Sequence, residues 1–299
     1  MKFGILVGNG FTTDFVSQYK MDSSLPIRNF KNRHVKKRYG FIKKLPAIQT
    51  DLLTIKNRDY NAISKYIVRN KNDVTKLHQL KTFLALSYSA FQEQVDLFDM
   101  TEWKWSNWLQ QNREGLSCAV SLNYDLVLEK ALNIADIPYS RVGSDENPIG
   151  TPIYKPHGSI DFDLSSKFIS IPFEGRWPPN LIHNNDGGIV TVIPKEDFHQ
   201  PRVQADIVPP SMHNINQNLR WVRGLYNNYL EKASQLDAFV IIGSSYWEVD
   251  RPEINFFLEK LPQTAKVYIS NPEPDRDLVK KIRSLGLPYK TFGFNELPW

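Results

Sequence analysis

Three polar residues lie where apolar runs of this sequence end, which is where chemistry is most easily positioned. Asn123 and Asp125 follow the run LSCAVSL, so an amide and a carboxylate stand two residues apart. His157 precedes Gly158 in KPHGS, and a histidine in such a place is a natural general base. Structural roles compete with these assignments, because Asp125 can cap the following helix and His157 can be a buried, hydrogen-bonded residue.

A glycine-rich turn precedes these residues, after the apolar run FGILV. It consists of Gly8, Asn9, Gly10 and Phe11. Glycine lets a backbone approach a phosphate closely, and the helix predicted from residue 12 offers N–H groups to it, although glycine also serves purely steric needs in such turns. The third glycine of the usual dinucleotide fingerprint is replaced by Thr13. No strand ends in an acidic residue about twenty residues further on, which disfavours a hydride-transferring dehydrogenase.

These residues need a sheet to position them, and the sequence predicts one. Strands are predicted at 3–8, 116–125, 237–246, 266–271 and 288–292, with a strand-to-turn step at 152–162 and short strands in 168–173 and 188–194. Helices are predicted at 12–20, 126–136, 214–236, 252–260 and 275–285. This alternation is typical of a Rossmann-like, doubly wound α/β fold with a mostly parallel sheet covered on both faces. Ligands bind beyond the carboxyl ends of such strands, where Gly243, Ser244, Ser245 and Asn271 also fall.

A long segment without strand patterns interrupts this alternation. We interpret residues 21–115 as a helical insertion in a single domain of residues 1–299, whose core comprises 1–20 and 116–299. Within the insertion, 73–98 has apolar residues at spacings of three and four, and 101–112 predicts another short helix. Their aromatic residues are interpreted as core rather than as a ligand site.

Composition restricts the class of protein. Hydrophobic residues make up 41% and charged residues 23%, as in soluble globular proteins. No apolar run is long enough to span a bilayer and no leader opens the chain, so we expect no membrane and a cytoplasmic location. Cys118 is the single cysteine, and no pair among the six histidines has an i, i+4 spacing, so no metal is expected.

The net charge of +5 is partly local. Residues 27–44 carry a run of lysines and arginines without one acidic residue. A solvated surface, a phosphate-facing lid, a partner-docking surface and a nucleic-acid contact all fit this segment, and charge does not separate them.

Taken in order, these features resemble the sirtuin superfamily. The shared series is a glycine-rich first turn, a helical insertion, Asn-x-Asp at a strand end, a His-Gly pair, a Gly-small-Ser turn and a late strand ending in asparagine. GNGFTTDF, SLNYDLVLEKAL, YKPHGSIDF and IIGSSYWEVD are similar to the sirtuin-like NAD hydrolases of prokaryotic antiphage defence systems, a branch without zinc. Three departures from the deacetylase pattern support similarity to this branch. The zinc cysteines are absent, Leu122 replaces the glutamine before the asparagine, and no peptide-binding segment is recognisable.

The resemblance implies NAD as the substrate and assigns roles to particular residues. Gly8 to Phe11, Gly243, Ser244 and Ser245 would hold the pyrophosphate and ribose, and Asn271 the adenosine half. Asp125 would hold the nicotinamide carboxamide, while Asp14 and Phe11 would border the nicotinamide end. Asn123 would orient the ribose hydroxyls or a water. His157 would act as a base toward a ribose hydroxyl or the attacking water.

The expected activity is that of an NAD glycohydrolase, an abortive-infection effector controlled by self-assembly or by a partner chain. The resemblance suggests a DNA-translocating ATPase or a short Argonaute protein as that partner. Attack by water would yield nicotinamide and ADP-ribose, whereas another nucleophile would give a cyclic or transferred product. Two alternatives remain: an NAD-dependent protein deacylase or ADP-ribosyltransferase, and an oligomeric scaffold that binds NAD or ADP-ribose without catalysis.

Overall fold

A seven-stranded parallel sheet forms the centre of the protein. The computed structural model describes residues 1–19, 45–52, 60–163, 189–199, 205–209, 220–293 and 296–299. The strands are β1 (Phe3–Val7), β2 (Leu116–Ser121), β3 (Tyr139–Arg141), β4 (Thr151–Tyr154), β5 (Gly158–Asp163), β6 (Thr191–Val192), β7 (Ala205–Ile207), β8 (Ala238–Ile242), β9 (Lys266–Ser270) and β10 (Tyr289–Phe292). The central sheet has the order β10-β9-β8-β1-β2-β4-β3, and all its neighbouring strands run parallel. The prediction of a Rossmann-like α/β fold is therefore confirmed.

Helices flank this sheet on both faces. The helices of the described residues are α1 (Asn9–Gln18), α2 (Tyr60–Arg69), α3 (Val74–Asp96), α4 (Lys104–Asn112), α5 (Val127–Ile134), α6 (Arg220–Ala233), α7 (Arg251–Glu259) and α8 (Arg276–Ser284), with a π-helical turn at Ile48–Leu52. One face is buried by a core that includes Trp221, Tyr229 and Phe257. The opposite face packs against α1, α4 and α5, around Phe15 and Trp108.

Several elements differ from the sequence prediction. Helix α1 begins at Asn9 rather than at residue 12, with Gly8 as its extended N-cap. The strand-to-turn step predicted at 152–162 is two strands, β4 and β5, which belong to different sheets. Strands β3 and β7 were not predicted, since three residues are too few to show a periodic pattern.

The described part of the segment 21–115 contains helices and turns but no strand. Helix α3 packs against a second, antiparallel sheet with the order β6-β5-β7. Leu80, Leu84 and Tyr88 of α3 are buried there beside Ile160 and Ile207, as the spacing in 73–98 predicts. The assignment of 21–115 as an insertion into one domain stays a prediction.

Parts of other predictions lie outside the described residues. These are the basic segment 27–44, the short strand in 168–173 and the start of the helix at 214–236. In the described parts of the chain, no helix combines the length and apolar character needed to cross a membrane.

Candidate functional site

Five of the predicted site residues lie just beyond the carboxyl ends of strands of the central sheet. Gly8, Gly243 and Asn271 come directly after β1, β8 and β9, and Asn123 comes two residues after β2. His157 follows β4 by three residues. Because these five strands are parallel, all five residues lie at the carboxyl edge of the sheet, where open α/β sheets bind ligands.

The glycine turn is packed directly against the end of β8. The amide of Gly8 donates to the Ile242 carbonyl at 3.0 Å, and the amide of Gly10 donates to the Gly243 carbonyl at 2.7 Å. Gly243 itself has a φ of +61°, which favours glycine. Glycine is thus required here for backbone packing. Since the Gly10 amide is already donated to a protein carbonyl, phosphate binding at this turn stays a prediction.

Alanine at Gly10 is expected to lower the free energy of unfolding by about 1–3 kcal/mol. A Cβ atom there would lie 2.6 Å from the Gly243 Cα, so one of the two backbones would have to move. Urea unfolding of Gly10→Ala measures the loss. The matched control is Gly224→Ala in α6, where a Cβ meets nothing within 4 Å and alanine should stabilise the helix by about 0.5–1 kcal/mol. Equal effects of the two substitutions would contradict the packing argument.

Asn123 ties β2 to the glycine turn. Its Nδ2 donates to the Gly8 carbonyl at 3.0 Å and to Thr12 Oγ1 at 3.1 Å. A carbonyl only accepts, so the amide nitrogen must face Gly8 and the side-chain oxygen faces away from that contact. Thr12 in turn donates to Asp125 Oδ2 at 3.0 Å. From the sequence, residue 12 was only the start of a predicted helix, and the bridging role of Thr12 was not predicted.

Asp125 is buried and is a member of this cluster. Its Oδ1 accepts from the Val127 amide at 3.1 Å at the start of α5, where Leu126 rather than Asp125 is the N-cap residue. Burial raises the pKa of Asp125 to about 6, against the opposing effects of Lys155, the Val127 amide and Thr12. At neutral pH the carboxyl group is therefore mostly ionised, but it gains a proton more readily than an ordinary aspartate.

Asparagine at Asp125 is expected to change how stability depends on pH. The folded pKa of about 6 lies above the unfolded value of 3.8, so the stabilising contribution of this group is present below pH 3.8 and lost as the pH rises through 6. Asp125→Asn should therefore match the wild type near pH 4 and exceed its free energy of unfolding by about 1–3 kcal/mol near pH 8. Urea unfolding at both pH values measures this difference.

Asp136→Asn, at an exposed position after α5, is the control for losing one formal charge. A difference between Asp125→Asn and the wild type that is equal at pH 4 and pH 8 would contradict the expected pH dependence.

A buried lysine supports Asp125 from β4. Lys155 Nζ donates to the Asp125 backbone carbonyl and to Glu129 Oε1, both at 2.8 Å, and the Lys155 side chain is fully buried. Neither Lys155 nor Glu129 was predicted as a site residue from the sequence. The available signal was a lysine directly after the apolar end of a buried strand and two residues before His157.

His157 is buried with both ring nitrogens facing oxygen atoms. Nδ1 lies 3.1 Å from the Leu122 carbonyl, while Nε2 lies 3.6 Å from Glu253 Oε1 and 3.9 Å from Asp250 Oδ1. Burial alone would lower the pKa of His157, but the two carboxylates and the carbonyl outweigh it and raise the pKa. Glu253 and Asp250 were not predicted as site residues, although Asp250 ends the motif IIGSSYWEVD.

Phe11 and Asp14 contact residues of the helical segment 21–115 rather than His157. Asp14 accepts from Trp103 Nε1 at 2.9 Å and from Lys104 Nζ at 2.8 Å. The rings of Phe11 and Trp103 are 4.7 Å apart. Both residues thus hold α4 against α1, and their assignment to the nicotinamide end stays a prediction.

The remaining predicted residues line the same edge. Asn271 Nδ2 donates to the carbonyl of the buried Ser244 at 2.9 Å, and Ser245 beside it is exposed. Asn9 Nδ2 lies 3.4 Å from Thr13 Oγ1. Within the described ranges, no group of three or more histidine, cysteine or acidic side chains is arranged to hold a metal ion.

Three comparisons relate this chain to known proteins. No protein-family model and no curated protein matches this sequence. Among solved structures, the chain is similar to one titled "Structural Basis for the Mechanism and Regulation of Sir2 Enzymes", with 13% sequence identity and a TM-score of 0.38. The match covers 99% of this chain and 88% of that chain. The strand order and pairing define this chain as a Rossmann-like α/β protein.

Proposed function

We propose that this protein is an NAD glycohydrolase, which cleaves the bond between nicotinamide and ribose to give nicotinamide and ADP-ribose. One observation carries the proposal: Asn123, Asp125 and His157 converge with the glycine turn at the carboxyl edge of the sheet. The same residues, in the same order along the chain, carry the resemblance to sirtuin-like NAD hydrolases. The order of these residues in the sequence and their convergence in space both support the proposal.

The bond to be broken sets what the site must supply. As nicotinamide leaves, positive charge develops on the ribose, so the catalyst must fix the ring, support that charge and deliver a nucleophile. Asn123 Nδ2 is already donated to Gly8 and Thr12, which leaves its side-chain oxygen to accept from a ribose hydroxyl or a water. Asp125 offers a carboxylate for the amide N–H groups of nicotinamide. His157 is the group that can accept a proton from the hydroxyl or water.

The biological setting is proposed on the motif resemblance alone. GNGFTTDF, SLNYDLVLEKAL, YKPHGSIDF and IIGSSYWEVD are similar to the antiphage branch, which supports a cytoplasmic effector of abortive infection. Self-association or a partner chain, such as a DNA-translocating ATPase or a short Argonaute protein, would supply its activation. The basic segment 27–44 remains a candidate contact for such a partner or for nucleic acid.

The test follows the products formed from NAD. The full-length protein is incubated with NAD, alone and assembled with the product of a neighbouring gene, and nicotinamide and ADP-ribose are quantified by chromatography. We expect equal amounts of both. NADH is the chemical control, because its dihydropyridine ring carries no positive charge and leaves poorly, so it should stay intact.

Other outcomes would identify the alternatives. Cleavage that requires an acylated peptide and transfers ADP-ribose to its acyl group would replace the proposal with a deacylase. Transfer of ADP-ribose to a protein would indicate an ADP-ribosyltransferase. NAD that binds every assembled form and remains intact would identify a binding scaffold.

A further inference from the structure

The environment of His157 contains a carboxylate without a hydrogen-bond partner. Glu253, on α7, is completely buried, and neither of its carboxylate oxygens has a hydrogen-bond partner among the described residues. The same holds for His157 Nε2, which lies 3.6 Å from Glu253 Oε1. A buried charge without compensation is strongly unfavourable, so the two groups together need a proton between them.

The contacts of the imidazole determine which nitrogen is involved. The Leu122 carbonyl can only accept, so the 3.1 Å contact fixes a hydrogen on His157 Nδ1. Nε2 is therefore the nitrogen that gains or loses a proton. Nε2 faces α7, which is far from β4 in sequence. Only the tertiary structure therefore brings the Glu253 carboxylate to this nitrogen.

We propose that Glu253 is a positioning residue that pairs with Nε2 of His157, fixes the imidazole ring and stabilises its protonated form. This inference rests on the proposed function for its catalytic meaning. Above its titration midpoint the pair has lost its shared proton to solvent, and Nε2 has a free lone pair. When Nε2 then accepts a proton from a hydroxyl or water, the O–H bond breaks, an N–H bond forms, and the negative charge of Glu253 lies beside the new imidazolium.

The other groups around His157 do not replace this role. Asp250, from the loop before α7, lies 3.9 Å from Nε2 and contributes a second, more distant carboxylate. Tyr226 of α6 interacts with Glu253 and is kept a neutral phenol, because burial and then the charge of Glu253 raise its pKa. The ring of Tyr124, after β2, lies 6.4 Å from the imidazole, and its hydroxyl donates to the Val208 carbonyl.

The pairing is tested by the titration of His157, followed by nuclear magnetic resonance in the full-length protein without NAD. His157→Gln assigns the signal by its loss. In the wild type we expect both ring nitrogens to be protonated at pH 6, with a midpoint above that of an ordinary histidine. Glu253→Gln should move the midpoint down by about one pH unit, the effect of removing an opposite charge at this distance.

Two further variants make the test specific. Glu253→Asp keeps the charge and should retain most of the raised midpoint. Glu259→Gln, on the same helix but paired with Lys281 at the surface, should leave the midpoint unchanged. An unchanged midpoint in Glu253→Gln, or an unprotonated Nε2 in the wild type at pH 6, would overturn the pairing. Where Glu253→Gln does not fold, a wild-type midpoint at or below that of an ordinary histidine would also overturn the pairing.

The rate of nicotinamide release adds a readout that a merely structural role would not move. The acidic limb of its pH profile should shift downward in Glu253→Gln by the same amount as the midpoint. A moved midpoint in a protein that releases no nicotinamide would refute the proposed function and leave the pairing intact. Nicotinamide release with an unmoved midpoint would refute the pairing alone.

Discussion

Alanine at His157 is expected to lower the rate of nicotinamide release by about three orders of magnitude, within the range that general acid–base catalysis contributes. The imidazole is the one described group at the sheet edge that combines a fixed Nδ1 hydrogen with an Nε2 facing carboxylates. Its loss removes the proton acceptor for the attacking hydroxyl or water. The Michaelis constant for NAD should change little, because His157 acts on the reacting proton and not on the bulk of the ligand.

Steady-state kinetics of purified variants measure this effect. His199→Ala is the matched control, since His199 is exposed at the surface and pairs with Glu93 rather than with the sheet edge. Asn123→Ala should also lower the turnover number, and its loss of the Gly8 and Thr12 contacts should weaken NAD binding as well. A folded His157→Ala variant that keeps a tenth or more of the wild-type rate would refute the catalytic assignment.

Methionine at Lys155 is expected to lower the free energy of unfolding by about 3–5 kcal/mol, which is the effect of removing one partner of a buried ion pair. The substitution keeps the apolar stem but leaves Glu129 charged and buried, and it removes the donor to the Asp125 carbonyl. Urea unfolding at pH 7 measures the loss. Because Lys155 holds the backbone of Asp125, NAD binding should weaken in the same variant.

A double substitution separates the charge from the packing. Lys155→Met combined with Glu129→Met removes both charges and should recover most of the lost stability, because no uncompensated charge remains buried. Lys281→Met breaks the exposed pair with Glu259 and should cost less than about 1 kcal/mol. A loss below 1 kcal/mol for Lys155→Met would show that the buried pair contributes little.

Several ionisable groups are concentrated at the carboxyl edge of this sheet. Asp125, Lys155, His157 and Glu253 are all buried there, and the pKa values of Asp125 and His157 are raised. Burying such groups destabilises a fold, and proteins commonly retain this arrangement at functional sites. The cluster therefore supports a site at this edge independently of the motif resemblance.

The sequence by itself determined the type of sheet and the edge at which the site residues lie. Apolar runs such as FGILV and AFVII, each followed by a helical pattern, require a parallel sheet buried on both faces. Once the strands are parallel, Gly8, Asn123 and Asn271 must share one edge. Local periodicity suffices for these conclusions, because each depends on residues that are close together in the chain.

Only the tertiary structure decided which groups meet. Asp14 contacts Trp103 and Lys104, about ninety residues away, and therefore anchors a helix instead of joining His157. Lys155 meets Glu129, and His157 meets Glu253, through packing between elements that no local pattern relates. Hydrophobic periodicity specifies which face of an element is buried. The partner of a buried charge depends on how whole elements pack, which is set by the fold as a unit.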